Sequence, residues 1–256
     1  MNLAEGELRV GRKTVKLTNL HKPFWPALGL SKGDLLTYYV NVSQALLPHF
    51  EDRAMVMKRY PNGAAGPFFF MKRTPSPKPD WLQTCAIEHA SGNVIDFPMI
   101  QDVAALMWVV NLGCIDLNQW YSRCDDVDRP DYCHFDLDPG PGAPFEQVLE
   151  SALLVRDALK SLKMPSYPKT TGSKGIHVYV PLKRGPRQKE VWTFTKAFAI
   201  ALADPIGHAA SHRIYVGYDG RAAKSADAEA GESQGRARIH RPRAWRAEPL
   251  EHRAIE

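Results

Sequence analysis

The stretch HFDLDPGPG (residues 134–142) decides both the fold and the chemistry that we predict for this chain of 256 residues. Phe135 and Leu137 alternate with Asp136 and Asp138, which is the pattern of a β-strand with one buried face. Because alternate side chains of a strand point the same way, both carboxylates lie on one face. Paired carboxylates of this kind hold hard cations such as Mg²⁺ or Mn²⁺ against substrate phosphates. The stretch therefore predicts a metal site on a sheet.

A second stretch, TGSKGIHVYVPL (residues 171–182), decides how the first one is interpreted. Alone, two Asp residues before Pro-Gly are equally typical of a strand that ends in a turn. In the second stretch a Gly-Ser-Lys-Gly turn leads into an alternating strand, and this turn offers backbone N–H groups, a hydroxyl and an ammonium group to one anion. It is not a P-loop, because it lacks the longer glycine spacing and precedes a strand. Together the two stretches predict a site for a metal ion and a triphosphate.

The rest of the chain supplies helices and further strands around these two stretches. Apolar residues at helical spacing predict four helices, and the first of them carries the capping pattern of Ser31 followed by Asp34. The predicted helices span residues 32–47, 102–113, 144–163 and 188–202. Two runs on either side of a Pro-Asn-Gly turn predict a hairpin of residues 55–60 and 68–73. We therefore predict an α/β (α+β) fold with a mixed or antiparallel central sheet flanked by helices.

Composition and charge restrict the partners and the compartment. The formal net charge is +5 and the pI is about 9.0, which permits a polyanionic partner without requiring one. The sequence shows neither a basic and apolar leader nor an apolar run of membrane-spanning length, so we expect a cytoplasmic protein with no membrane partner. The four cysteines form no C-x-x-C pair. We expect buried reduced thiols rather than zinc ligands or disulfides.

Two lysines mark a first candidate surface for nucleic acid. Lys22 and Lys32 flank the predicted start of the first helix, where the helix dipole favours an anion. The alternative is that both are solvated surface lysines. Their position therefore suggests an anion site without specifying the anion.

The predicted hairpin is a second candidate surface for nucleic acid. Lys58 and Arg59 end its first strand, and Phe69 and Phe70 lie in its second strand. Aromatic rings beside basic groups suit stacking on nucleobases and neutralisation of phosphates. Periodicity alone, however, places at least one of the two phenylalanines in the core.

The D-L-D-P-G strand, the T-G-S-K-G-I-H-V-Y strand and the spacing between them resemble the polymerase domain of bacterial DNA-repair ligase D, in the archaeo-eukaryotic primase superfamily. The resemblance runs from about residue 17 to about residue 201 and implies a primase-polymerase-like fold. It implies template-dependent nucleotidyl transfer, by primer extension and gap filling, at double-strand-break ends in non-homologous end joining. The implied cofactor is Mn²⁺ or Mg²⁺ with an NTP or dNTP substrate. The implied partners are DNA ends with a 5′-phosphate, a separate ligase and a DNA-end-bridging protein, at the bacterial nucleoid.

The same resemblance implies roles for individual residues. It makes Asp136 and Asp138 the catalytic metal ligands. The residues that it places beside the nucleotide are Thr171, Ser173, Lys174, His177 and Asp116, although some relatives carry His at position 116. It assigns the DNA 5′-phosphate to Lys22 and Lys32, and contacts with the template or the incoming base to Lys58, Arg59, Phe69 and Phe70.

The chain departs from the family pattern after residue 202. The resemblance expects a third metal-binding Asp on a later strand, but Gly217 stands roughly at that position and Asp219 follows two residues later. Residues 203–256 are poor in large apolar side chains, and we predict a poorly ordered segment with no strand or helix beyond 213–218. The predicted catalytic domain is therefore residues 1–202. The alternative function is a weak or inactive DNA-end-binding module that recognises a 5′-phosphate.

Overall fold

A computed structural model of the chain describes residues 5–89, 92–140 and 142–203, together with the backbone of two strands at 214–219 and 236–239. The described chain divides into two compact units, the first ending at Asp131 and the second beginning at Tyr132. Most of the segment that we predicted to be poorly ordered, residues 203–256, lies outside the described residues. Each unit is described by itself below.

Within its described residues, the first unit contains two α-helices and nine strands. They are β1 (Gly6–Val10), β2 (Lys13–Leu17), β3 (Pro23–Trp25), β4 (Leu30–Ser31), α1 (Lys32–Leu46), β5 (Met55–Arg59), β6 (Phe69–Met71), β7 (Thr84–Glu88), β8 (Val94–Pro98), α2 (Val103–Asn111) and β9 (Cys114–Gln119). An antiparallel sheet has the order β6-β5-β9, and β1-β2, β3-β4 and β7-β8 form two-stranded pairs. The helices and the sheet share a core that includes the fully buried Leu36, Met57 and Leu106.

Both helices of the first unit begin at side-chain caps, of which the sequence predicted the one at Ser31. Ser31 Oγ accepts a hydrogen bond from the N–H of Asp34 at 3.3 Å, and Asp34 Oδ2 accepts one from the N–H of Ser31 at 2.7 Å. This reciprocal pair is a capping box. Asp102 Oδ1 accepts from the N–H of Ala105 at 2.9 Å in the same way. The predicted helix starts are confirmed.

The second unit is one antiparallel sheet with two helices against its buried face. Its elements are β10 (Tyr132–Pro139), α3 (Phe145–Ser161), β11 (Tyr167–Thr170), β12 (Ile176–Pro181), α4 (Gln188–Ala203), β13 (Ile214–Asp219) and β14 (Arg236–Ile239). The strand order is β11-β12-β10-β13-β14. Phe135 and Leu137 of β10 are fully buried, together with Leu159 of α3. The predicted fold class is confirmed, whereas the expectation of no strand beyond residue 218 is wrong, because β14 pairs with β13.

The cysteine prediction is half wrong. Cys114 and Cys133 are buried thiols, and burial raises the pKa of Cys133 to about 12. Cys85 of β7 and Cys124, which follows β9, form a disulfide across a separation of 39 residues. Alternation along each strand does not show which two cysteines meet when the chain folds, so the sequence pattern could not predict this pair.

No helix within residues 5–89, 92–140 and 142–203 has the length and apolar character needed to cross a membrane.

Candidate active site

The polar face of the second unit's sheet is built by the alternation of β10. Phe135 and Leu137 point into the core with no exposed surface, so Asp136 and Asp138 occupy the opposite face and are partly exposed. The predicted strand and the shared face of the two carboxylates are as the sequence indicated. This arrangement brings two acidic groups together outside the core.

A cross-strand row runs through Asp136. Asp136 lies opposite His177 of β12, and His177 lies opposite Lys169 of β11. Directly opposite residues of an antiparallel pair share a face, so the row is cation, imidazole and carboxylate. His177 Nε2 lies 3.2 Å from Asp136 Oδ1. The imidazole therefore lies beside one carboxylate oxygen.

His134 lies on the same face of β10 as Asp136, two residues before it. Its ring centroid lies 4.9 Å from that of His177 and 5.4 Å from that of Tyr179, which is its register partner in β12. Burial, followed by the nearby charge of His177, lowers the pKa of His134 to about 4, although Asp136 opposes the shift. His134 is consequently neutral near pH 7.

The turn before β12 is closed by Thr171. Its Oγ1 accepts hydrogen bonds from the N–H of Gly175 at 3.1 Å and of Ser173 at 3.3 Å, and the N–H of Thr171 donates to the Gly175 carbonyl at 3.1 Å. Two of the N–H groups that we predicted for an anion are therefore used inside the turn. Ser173 and Lys174 lie exposed at its tip. The hydroxyl of Thr171 shapes the turn, and the tip offers a hydroxyl and an ammonium group to solvent.

Gly175 makes room for the second carboxylate. A Cβ atom at position 175 would lie 2.7 Å from the carbonyl oxygen of Leu137 and 2.8 Å from Asp138 Oδ1. Real Cβ atoms do not approach other atoms this closely. The glycine therefore lets the turn sit directly against the Asp138 carboxylate.

The register of β13 bears on the expected third carboxylate. Gly217 lies opposite Asp136, and Asp219 lies opposite His134. Among the residues whose side chains are described, no group of three or more His, Cys, Asp or Glu is arranged to hold a metal ion. Asp136 and Asp138 provide a donor set of two carboxylates on one face, which fits a hard cation that takes its remaining ligands from substrate and water.

Lys22 and Lys32 form a basic site in the first unit. Lys32 is 5% exposed and its Nζ donates to the Thr18 carbonyl at 2.6 Å. Lys22 Nζ donates to the Pro61 carbonyl at 2.6 Å. Burial and the charge of Lys22 lower the pKa of Lys32 to about 8. The two ammonium groups are held by carbonyl oxygens and repel each other, so an anion beside them would relieve the repulsion.

The backbone at the start of α1 is less available to an anion than we predicted. The N–H of Lys32 donates to the Lys22 carbonyl and that of Gly33 to the Leu20 carbonyl, both at 2.8 Å. The N–H of Asp34 donates to Ser31 Oγ. The N–H groups of the first turn of the helix thus already donate hydrogen bonds within the protein. An anion at this surface would be bound by side chains.

Lys58 of the hairpin is paired with Asp116 of the neighbouring strand β9. They are opposite each other in β5 and β9, and Lys58 Nζ lies 3.1 Å from Asp116 Oδ2. Tyr60 donates its hydroxyl to the same carboxylate oxygen at 3.2 Å. The Lys58 ammonium also lies 4.3 Å from the Phe68 ring centroid and 5.9 Å from that of Phe70. Lys58 is therefore enclosed by a carboxylate and aromatic rings.

The exposed side of this hairpin is aromatic. Phe69 and Phe70 are each 42% exposed and Phe68 is 50% exposed, so neither predicted phenylalanine lies in the core. Arg59 Cζ lies 5.3 Å from the Phe69 ring centroid, and Arg59 Nε donates to the Leu112 carbonyl at 2.9 Å. The rings are thus exposed to solvent and lie next to the cationic side chains of Lys58 and Arg59.

The structure therefore gathers the predicted residues into separate groups. In the second unit these are Asp136, Asp138, Thr171, Ser173, Lys174 and His177. In the first unit these are Lys22, Lys32, Lys58, Arg59, Phe69, Phe70 and Asp116. The sequence analysis missed His134, Lys169, Tyr179 and the role of Gly175. Strand alternation could have found His134, which is two residues before Asp136, whereas Lys169 emerges only from the pairing of β11 with β12.

Comparisons with known proteins point to one family. Residues 31–218 match the family described as LigD, primase-polymerase domain. The chain is 38% identical over 170 residues to the multifunctional non-homologous end joining protein LigD of Mycolicibacterium smegmatis, covering 66% of this chain and 22% of that protein. The protein of the same description from Pseudomonas aeruginosa is 29% identical over 200 residues, covering 77% of this chain and 24% of its own length. The chain spans about a quarter of the length of these curated relatives.

A solved structure matches as well. The polymerase domain from Mycobacterium tuberculosis ligase D in complex with DNA superposes with a TM-score of 0.70 at 29% sequence identity. The match covers 77% of this chain and 72% of that chain. Sequence and fold thus lead to the same group of proteins.

Proposed function

Because the chain belongs to the LigD primase-polymerase domain family, we propose that it adds nucleotides from NTPs or dNTPs to a primer strand, copying a template, at broken DNA ends during non-homologous end joining. The reaction is attack of the primer 3′-hydroxyl on the α-phosphate with departure of pyrophosphate. A ligase and a DNA-end-bridging protein are the partners that joining the ends requires.

The contact between His177 and Asp136 is the observation that carries this proposal. It supports an acidic site beside a histidine, because Nε2 lies 3.2 Å from one Asp136 oxygen while Asp138 lies on the same face. Asp136 and Asp138 would hold Mn²⁺ or Mg²⁺, which when bound neutralises charge on the triphosphate and lowers the pKa of the attacking hydroxyl. Ser173 and Lys174, at the exposed tip of the adjoining turn, bind the triphosphate oxygens.

The first unit supplies the DNA contacts in this proposal. Lys22 and Lys32 bind the terminal 5′-phosphate of the break, since two ammonium groups match a phosphate monoester better than an internal diester. The exposed Phe69 and Phe70 stack on bases of the template or the incoming nucleotide. Lys58 and Arg59 add positive charge behind the rings, and Asp116 acts by holding Lys58.

Primer extension on gapped DNA tests the proposal. The substrate carries a 5′-phosphate on its downstream strand, and wild type is compared with Asp136→Ala in Mn²⁺ with each NTP and dNTP. We expect template-directed extension by wild type and its loss in the variant. Extension that survives in Asp136→Ala would place the chemistry elsewhere. Unfolding temperatures of both proteins serve as the folding control.

A second candidate is a DNA-end-binding module without polymerase activity. It is favoured by the register of β13, where a glycine lies opposite Asp136. This candidate predicts no extension by wild type, together with binding that depends on the 5′-phosphate and weakens in Lys22→Ala/Lys32→Ala. The Asp136→Ala variant would then bind DNA ends as wild type does.

A further inference from the structure

Three aromatic rings meet at one point of the polar sheet face. The His134 and His177 ring centroids lie 4.9 Å apart with an interplanar angle of 37°. His134 and Tyr179 are stacked at 5.4 Å and 27°, and His177 lies 6.0 Å from Tyr179. His177 therefore has two ring neighbours in addition to the Asp136 carboxylate.

These neighbours restrict the imidazole of His177. Nε2 approaches Asp136 Oδ1 to 3.2 Å, but this approach alone does not orient the ring, because rotation about χ2 is broad for a histidine. The rings of His134 and Tyr179, whose centroids lie 4.9 and 6.0 Å from that of His177 and which are both tilted relative to it, supply a further restraint by packing against the imidazole. Backbone register sets the arrangement, since His134 is opposite Tyr179 and Asp136 is opposite His177.

We propose that His134 is a positioning residue of the nucleotidyl-transfer site, which holds the His177 imidazole in the orientation that contacts Asp136. This inference rests on the proposed function, and His134 itself touches neither substrate nor metal in it. Its role is to keep the Asp136 oxygen fixed before the nucleotide arrives. Contacts between aromatic rings account for about a threefold to tenfold preference for the oriented His177 imidazole over its rotated forms.

Two matched variants distinguish the effect of an aromatic ring at position 134 from the effect of its volume. His134→Phe keeps an aromatic ring at position 134, and His134→Leu keeps apolar volume without a ring. In ¹H–¹⁵N spectra of the imidazole groups, we expect wild-type His177 to show a single tautomer. His134→Leu should give averaged His177 signals, and His134→Phe should restore most of the single-tautomer spectrum. The KM for the nucleotide should rise about threefold to tenfold in His134→Leu with a smaller change in kcat.

The outcomes distinguish this inference from the function on which it rests. An unchanged His177 spectrum in a folded His134→Leu protein would overturn the positioning role, whatever the activity. Equal changes in His134→Phe and His134→Leu would also overturn it, because the ring would then have no special part. If wild type fails to extend primers but the His177 spectrum responds to His134→Leu as expected, the polymerase proposal is contradicted. The conclusion that His134 orients the His177 imidazole is then still supported.

Discussion

Lys58 and Asp116 form an ion pair across β5 and β9, with Nζ 3.1 Å from Oδ2, in the middle of an otherwise basic and aromatic surface. Burial alone would lower the pKa of Lys58, but the hydrogen bonds that its ammonium donates to Tyr60 and Asp116 raise the pKa overall. The ammonium is therefore charged and already has a counter-ion. Asp116 thus limits the charge that the hairpin presents to a nucleic acid.

Replacing Asp116 should strengthen non-specific DNA binding. Asp116→Asn keeps a side chain of similar shape and adds one net positive charge, so we expect severalfold tighter binding of single-stranded DNA. The salt dependence, plotted as log Kd against log salt, should steepen by about 0.7. Fluorescence anisotropy over a range of salt concentrations measures both. Weaker binding with an unchanged slope would mean that holding Lys58 in place matters more than the charge.

A methyl group at position 175 should disable the acidic site. Gly175→Ala places a Cβ within 2.8 Å of Asp138 Oδ1 and still closer to the Leu137 carbonyl, so the turn or the carboxylate must move. We expect a loss of stability of about 1–3 kcal/mol and more than a tenfold loss of extension rate. Urea unfolding and primer extension measure the two effects.

Gly185→Ala is the matched control for this prediction. A Cβ at position 185 meets only the Lys183 carbonyl, at 4.0 Å. It should change stability by less than about 1 kcal/mol and leave extension intact. Equal behaviour of Gly175→Ala and Gly185→Ala would contradict the steric argument.

The Cys85–Cys124 disulfide should make the stability of the first unit depend on redox conditions. It closes a loop across a separation of 39 residues, for which the chain-entropy estimate of stabilisation is about 4 kcal/mol. We expect a reductant to lower the unfolding temperature of wild type. The double variant Cys85→Ser/Cys124→Ser should be insensitive to reductant. Mass spectrometry under non-reducing conditions tests for the disulfide itself. If a reductant lowers the unfolding temperature of the double variant as much as that of wild type, the prediction is contradicted.

Local patterns in the sequence were sufficient to predict the strand and the helices that carry the candidate site. The alternation of Phe135 and Leu137 with Asp136 and Asp138 fixes which side of β10 is buried, whatever strand lies beside it. Helical spacing likewise identified α3 and α4. These features depend on residues close together in the chain, which is why the sequence predicted them.

The remaining features depend on pairings between distant residues. Lys58 meets Asp116 because β5 lies beside β9. Cys85 meets Cys124 because β7 and the segment that follows β9 pack in the same core cluster. Thr171 bonds its own turn rather than facing outward, which depends on the conformation of a turn that contains Gly172 at a φ of 79°. Sequence periodicity does not specify such partners. The roles of these residues in substrate binding stay predictions.

Binding of a 5′-phosphate should weaken as Lys32 loses its proton. Burial and the neighbouring Lys22 lower the pKa of Lys32 to about 8, although Glu5 opposes this shift. We therefore expect the affinity for 5′-phosphorylated DNA, relative to the same DNA with a 5′-hydroxyl, to fall between pH 7.5 and pH 9. Lys32→Arg keeps its charge over this range and should flatten the profile. A wild-type profile as flat as that of Lys32→Arg would contradict a role for Lys32 in phosphate binding.

The same shift predicts the sign of a stability change in the absence of DNA. The pKa of Lys32 is about 8 in the folded protein and 10.5 in the reference state, so between these values the unfolded chain binds more protons. The contribution of Lys32 to the free energy of unfolding should therefore rise with pH, by at most about 3 kcal/mol in total. Urea unfolding of wild type and Lys32→Met between pH 7 and pH 10 isolates this contribution, because Met has no proton to lose. A difference between the two proteins that stays constant, or falls as pH rises, would show that Lys32 is not held in a site that disfavours its charge.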